Sequence, residues 1–189
     1  GFGLFLVTYL VVCVIYGVID GYQLLWLAAL GADPLMIGAA VFELYMCEIP
    51  MFYQCGALYQ RFGMRALLVA ATLCYVVRLV GLALLPSPLW VLLVMPLQSF
   101  SYTICEGAIA PYVAEVVLES GAPRLRTVAQ GARIFVLYGG RTIGYVFGGV
   151  LIDRVGFHAA WLWTATLGAP ALALLLLGGA AAPVGSRDG

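Results

Sequence analysis

The sequence predicts an all-α membrane protein of six transmembrane helices, arranged as two inverted three-helix repeats. Three observations lead there. Of its 189 residues, 64% are hydrophobic and 10% charged, which is more apolar than a soluble domain of this length can bury. The apolar residues fall into six runs, each long enough for the roughly 20 residues of helix that span a hydrocarbon core about 30 Å thick. A short motif also recurs: Gly56-x-Leu58-x-x-Arg61-x-Gly63 returns as Gly149-x-Leu151-x-x-Arg154-x-Gly156, 93 residues on.

The runs cover residues 4–30, 36–57, 66–85, 89–117, 128–152 and 159–177. They break at Gly31-Ala-Asp-Pro34, at 59–65, at Pro86-Ser-Pro88, at 119–127 and at 153–156, where glycine, proline and charged residues collect. The same 93-residue offset carries the first loop onto the fourth, and each motif copy ends the middle helix of a three-helix unit. Because three is odd, the second unit must lie upside down relative to the first. The expected organisation is a bundle over 1–180, with units 1–86 and 87–180, and a cytoplasmic tail over 181–189.

Orientation follows from arginine, since alternate loops lie on opposite sides. Arg61, Arg65, Arg124, Arg126 and Arg187 share one side and Arg154 alone lies on the other. The positive-inside bias then places both termini in the cytoplasm. Acids and bases balance at nine each, and no residue is lysine. No basic surface for nucleic acid results. The five cysteines, Cys13, Cys47, Cys55, Cys74 and Cys105, sit within apolar runs without close pairing, so they read as core residues, with neither disulfide nor metal site nor cofactor expected. The chain opens at Gly1 directly on an apolar run, so no signal peptide is expected and the sequence reads as cut from something longer.

Gly56-Ala-Leu-Tyr-Gln-Arg-Phe-Gly-Met-Arg65 resembles the cytoplasmic loop signature G-x-x-x-D-R-x-G-x-R of the major facilitator superfamily, and Gly148-Gly-Val-Leu-Ile-Asp153-Arg154-Val-Gly156 resembles its later counterpart. The chain is thus similar to helices seven to twelve of such a transporter. Glu48-Ile-Pro50, Tyr75-x-x-Arg78, Leu97-Gln98 and Thr127-Val-Ala-Gln-Gly131 resemble the branch that contains lactose permease and the major facilitator superfamily associated domain proteins. Two departures matter. Gln60 stands where the loop signature has Asp, which weakens the expected latch between halves. Gln98 and Ser101 stand where lactose permease has its proton-handling His and Glu, so that mode of coupling is not carried over, whereas Arg78 matches its helix-nine arginine.

Ionisable residues at membrane depth are costly and face a cavity or a partner. Here they are Asp20, Glu43, Glu48, Arg78, Glu106, Arg133 and Arg141. At 1.5 Å per residue, Glu48, Arg78, Glu106 and Arg141 lie roughly 13 to 21 Å from the cytoplasmic helix ends. They could form a structural ion-pair network or line a substrate and proton pathway, with Arg78–Glu48 the first expected pair. Asp20, beside Gln23, is either a gate contact or an arginine partner. Gln98, Tyr102 and Glu106 recur every four residues, a polar stripe expected to face the cavity, although interhelical hydrogen bonding would produce the same stripe. Gly140, Gly144 and Gly148 read as a close helix crossing. Trp26, Trp90, Trp161 and Trp163 are expected in aromatic belts at the outer face, and His158 at the surface beside the outer loop.

The resemblance implies the C-terminal half of a secondary transporter, moving a small polar, sugar-like solute by alternating access with protons as a candidate coupling ion. Its partners would be the lipid bilayer and either a missing amino-terminal six-helix half or a second copy. A non-transporting receptor or scaffold on the same fold is the alternative. No phosphate-binding loop, H-E-x-x-H or G-x-S-x-G is present, so neither a primary pump nor a hydrolase is expected.

Overall fold

The computed structural model describes residues 2–85, 87–121 and 123–177, so the tail 181–189 and Arg187 lie outside the described residues. Every regular element among them is helical: α1 (Phe2–Ala29), α2 (Pro34–Leu84), α3 (Pro88–Leu92), α4 (Pro96–Thr103), a π-helical turn (Ile104–Ala108), α5 (Ile109–Glu119), a 3₁₀ turn (Pro123–Leu125), α6 (Arg126–Thr166) and α7 (Gly168–Leu177). Four helical stretches, Gly3–Ala29, Pro34–Leu84, Pro88–Glu119 and Arg126–Leu176, are long and apolar enough to cross a membrane.

Local chemistry fixes the first junction. Gly31 at φ 87 turns the chain after α1, while the backbone N–H of Ala32 returns to the Leu27 carbonyl at 3.1 Å. This is the left-handed glycine close of a helix. Asp33 then caps α2, its carboxylate accepting from the Met36 N–H at 2.7 Å. Pro34 occupies the first turn, where its missing N–H is not needed.

The two copies of the repeated motif share a backbone geometry. Gly63 in α2 has φ 74 and ψ 162, and Gly156 in α6 has φ 77 and ψ 169. Both lie in a region open essentially to glycine alone. A Cβ at either would meet nothing within 4 Å, so the backbone angle, and not crowding, calls for glycine. The expected loops at 59–65 and 153–156 are therefore shorter than read: the helix continues to within a residue of each glycine and resumes directly after it, because one residue makes the whole turn.

The helix expected over 89–117 is the stretch Pro88–Glu119, broken between α3 and α4 and again by the π-helical turn between α4 and α5. Pro96 has no N–H to give to an earlier turn and begins α4 afresh. The π-helical turn then widens the helix just before Pro111, whose ring would crowd the Gly107 carbonyl in a regular helix. Likewise the run 159–177 is interrupted at Leu167, between α6 and α7.

α1 and α6 make the closest crossing, and the glycines do it. A Cβ on Gly140 would lie 2.6 Å from Cys13 Cβ, one on Gly144 2.9 Å from Gly17 Cα, and one on Gly148 2.9 Å from Tyr22 Cε2. Two expected belt tryptophans are in the core instead: Trp161 is 0% and Trp26 5% exposed, against 53% and 60% for Trp90 and Trp163. Trp26 turns inward because its indole N–H donates to the Leu82 carbonyl at 3.0 Å, with its ring 5.1 Å from Phe157 and edge-on to His158 at 4.7 Å. His158 is exposed, as expected, yet its Nδ1 lies 2.7 Å from the Ala83 carbonyl. Among the cysteines, Cys13, Cys55 and Cys105 are buried and all five are free.

The crossing makes a direct prediction. Gly144→Ala should destabilise the purified protein by about 1–3 kcal/mol through overpacking, lowering its unfolding midpoint in detergent. Gly139→Ala, on the same helix with nothing within 4 Å of its Cβ position, should be neutral or slightly stabilising. Equal effects of the two would show that the crossing is not steric.

Candidate functional site

Gly17 lies against the backbone of Arg141, where an added Cβ would be 2.8 Å from the Arg141 Cα. That approach delivers Arg141 to Asp20, one helical turn along α1. The Arg141 Nη2 donates to Asp20 Oδ2 at 2.7 Å and to Tyr145 Oη at 3.0 Å. Tyr145 in turn donates to Asp20 Oδ2 at 2.6 Å, and Tyr16 to Oδ1 at 3.4 Å. The guanidinium lies over the rings of Tyr16 at 4.9 Å and Tyr138 at 5.8 Å. Of the two roles open to Asp20, it takes that of arginine partner. The pair remains partly open, with side chains 19% and 26% exposed.

Arg78 is fully buried. Its guanidinium does not pair with Glu48. It donates to the side-chain oxygens of Gln98 and Gln23 and to Met95 Sδ at 2.9 Å. The expected Arg78–Glu48 pair is thus corrected: the two residues lie on opposite sides of the Gly63 turn in α2, and the Arg78 guanidinium is taken up by Gln98, Gln23 and Met95 instead. Gln23, which the sequence offers only as a neighbour of Asp20, is the partner that was missed. Its signal is an amide three residues, about one helical turn, from Asp20, which spacing alone does not distinguish from a packing position.

Glu106 pairs loosely with Arg133, at 3.9 Å. Arg133 Nε donates to Gln130 Oε1 at 3.3 Å, and Gln130 Nε2 to the Ala110 carbonyl at 2.8 Å. Glu106 sits within the π-helical turn, which rotates it relative to a regular helix. The stripe on this stretch is consequently divided. Gln98 is 2% exposed and turned to Arg78, and Ser101 is buried, donating to the Ala71 carbonyl of α2 at 3.1 Å. Only Tyr102 and Glu106 stay half-exposed, with Tyr102 ring centroids 5.4 Å from Tyr16 and 6.1 Å from Phe52.

Glu48 is 8% exposed and makes no ion pair or hydrogen bond among the described residues. It lies within electrostatic reach of Asp20, Tyr16 and Tyr102. Glu43 is half-buried and joins none of these groups. The layer as a whole combines three arginines (Arg78, Arg133, Arg141) with three carboxylates (Asp20, Glu48, Glu106), so it is formally neutral.

The loop motifs act elsewhere. Arg65 donates from Nε to the Leu175 carbonyl at 2.8 Å and from Nη2 to the Leu176 carbonyl at 2.7 Å, satisfying the last carbonyls of α7 with a cation where the helix dipole favours one. Arg61 lies 5.2 Å over the Phe62 ring. Asp153 and Arg154 are exposed. Gly149 faces the Tyr22 hydroxyl, 2.5 Å from its Cβ position, while Gly56 meets nothing within 4 Å. Tyr59 hydrogen-bonds to Glu115, tying α2 to α5. Among the described residues no cluster of His, Cys, Asp or Glu has the geometry to hold a metal ion.

A polar, charge-balanced layer thus lies inside apolar helices, with half-exposed tyrosines beside it. No curated protein matches the chain. The sequence pattern of the MFS_1 like family matches residues 2–164, which takes in every residue of this layer and both glycine turns. The chain therefore belongs to the MFS_1 like family, and its fold is a major-facilitator-related domain.

Proposed function

We propose that this chain forms the C-terminal half of a secondary transporter that moves a small polar, sugar-like solute by alternating access. The observation that carries the reading is the half-exposed Asp20–Arg141–Tyr145 cluster, with Tyr102 and the Glu106–Arg133 pair, inside an otherwise apolar bundle. A neutral layer suits an uncharged solute, because binding one leaves the charge balance undisturbed in a medium where a bare charge is costly. Tyrosine hydroxyls and rings supply the hydrogen bonds and flat faces such a solute needs.

The reading takes six membrane spans. At 51 residues, α2 would be roughly 76 Å long if straight, more than twice the hydrocarbon thickness. Dividing α2 at Gly63 and α6 at Gly156 yields three spans before residue 86 and three after it, one glycine turn in each set. The matched φ and ψ of those glycines support an inverted duplication. Arginine bias orients both termini to the cytoplasm. A two-lobed cavity further requires a second six-helix unit, as an amino-terminal half or a second copy.

The coupling ion we assign is the proton, with Glu48 as its carrier, since Glu48 is the carboxylate of the layer without a cationic partner; Glu106 is the second choice. The function is tested by uptake of a panel of neutral sugars and polyols into vesicles holding the complete protein. Saturable uptake supports transport, and its absence with a correctly folded protein would favour the receptor or scaffold reading.

Three outcomes are expected. Cysteines placed at Arg65 or Arg124 should react with an impermeant reagent from the cytoplasmic side only, and one at Ser87 from the other side only. Glu48→Gln should keep exchange of bound solute while losing accumulation driven by a pH gradient, as measured by counterflow against net uptake. Arg78→Ala should lower stability by about 2–5 kcal/mol through the buried volume it leaves. Adding Glu48→Gln should not restore that loss, and recovery in the double variant would return Glu48 to the role of Arg78 partner.

A further inference from the structure

Where α5 hands over to α6, the helices leave a cavity of about 300 Å³ between them. Its walls are apolar, with Val116 and Val117 from α5 facing Val128 and Ala132 from α6, and Leu125 closing one end. Ser120 is the single hydroxyl on the wall, and it already donates to the Val117 carbonyl at 2.7 Å. The walls therefore offer a polar solute only one hydroxyl, whose proton is already given away, although the volume falls at the lower end of the range for small-ligand sites.

The rim differs from the walls. Arg124 and Arg126 flank Leu125, are exposed, and have no ion-pair or hydrogen-bond partner among the described residues. α6 begins here with no side-chain cap on its first turn, which puts the positive end of its dipole at this junction. Of the acids of α5, Glu115 is held by Tyr59 of α2, and Glu119 makes no ion pair with either arginine. An apolar cleft with a cationic rim at a helix end is complementary to an amphipathic anion.

We propose that this cleft binds an anionic phospholipid, one acyl chain lying between α5 and α6 and the phosphate resting on Arg124 and Arg126. The proposal rests on the reading above only for its side: the cytoplasmic leaflet is where anionic lipids concentrate, and basic pockets between helices on that face hold their headgroups. Exposed Leu125 and Val128, at 55% and 67%, would then lie against lipid beside the bound chain.

The test uses the purified full-length protein in mild detergent and native mass spectrometry, with phosphatidylglycerol and phosphatidylcholine of matched chains. Retained adducts should favour phosphatidylglycerol, and Arg124→Gln and Arg126→Gln should each lower that preference about fivefold. Ala132→Leu, which fills the cleft, should lower adducts of both lipids, whereas Arg61→Gln should change neither. Equal retention of the two lipids by the unaltered protein, a preference that survives the double Gln variant, or indifference to Ala132→Leu would overturn the site. So would a cysteine at Val128 that crosslinks to another protein segment while lipid adducts are absent, which would show the cleft covered by protein. Labelling of a cysteine at Arg124 from the non-cytoplasmic side, with the lipid preference intact, would refute the orientation and leave the lipid site standing.

Discussion

The close crossing of α1 and α6 is the constraint on which the polar layer depends. Gly17, Gly140 and Gly144 remove the side chains that would hold the two backbones apart, and in a membrane, where lipid is as apolar as leucine, such close packing is a principal source of helix association. The distance it sets is also electrostatic. Only at this separation can Arg141 reach Asp20 at 2.7 Å and share that carboxylate with Tyr145. A wider crossing would leave both charges in a poorly hydrated interior, where an uncompensated ion costs several kcal/mol. Packing and charge therefore stand or fall together.

The three arginines of the layer meet that cost in different ways. Arg141 is neutralised at short range and remains partly open. Arg133 is near its carboxylate but not tightly joined to it, and a glutamine shares the work. Arg78, fully buried, is surrounded by neutral acceptors from α1 and the α3–α4 stretch. Amide oxygens accept from its two terminal nitrogens without cancelling its charge, and its Nε has no hydrogen-bond partner among the described residues; among the carboxylates, Asp20 lies within electrostatic reach. The result ties three helices together at one residue and leaves Glu48 without a cation of its own.

Rigidity is unevenly distributed as well. α1 and the first part of α6 are continuous helices clamped by glycine contacts. The stretch from Pro88 to Glu119, by contrast, contains a turn before Pro96, a π-helical turn around Glu106 and Pro111. Each interruption removes or redirects backbone hydrogen bonds that would otherwise resist bending.

The sequence by itself determined the apolar character of the chain, the positions of most helices and where the repeated motif interrupts them. Those features depend on composition, on run length and on local backbone preference, all of which are written one residue at a time. Gly63 and Gly156 show this best, since their positive φ is a property of glycine in a motif and needs no neighbour. What only the tertiary structure decided was direction around each helix axis. Which way Arg78 points depends on the azimuth of α2 and on how far α1 and α4 approach it, so its glutamine partners, and the isolation of Glu48, could not be counted out along the chain. The same holds for Trp26 and Trp161, whose place at helix ends suggested an interface but whose burial was settled by the neighbours that close over them.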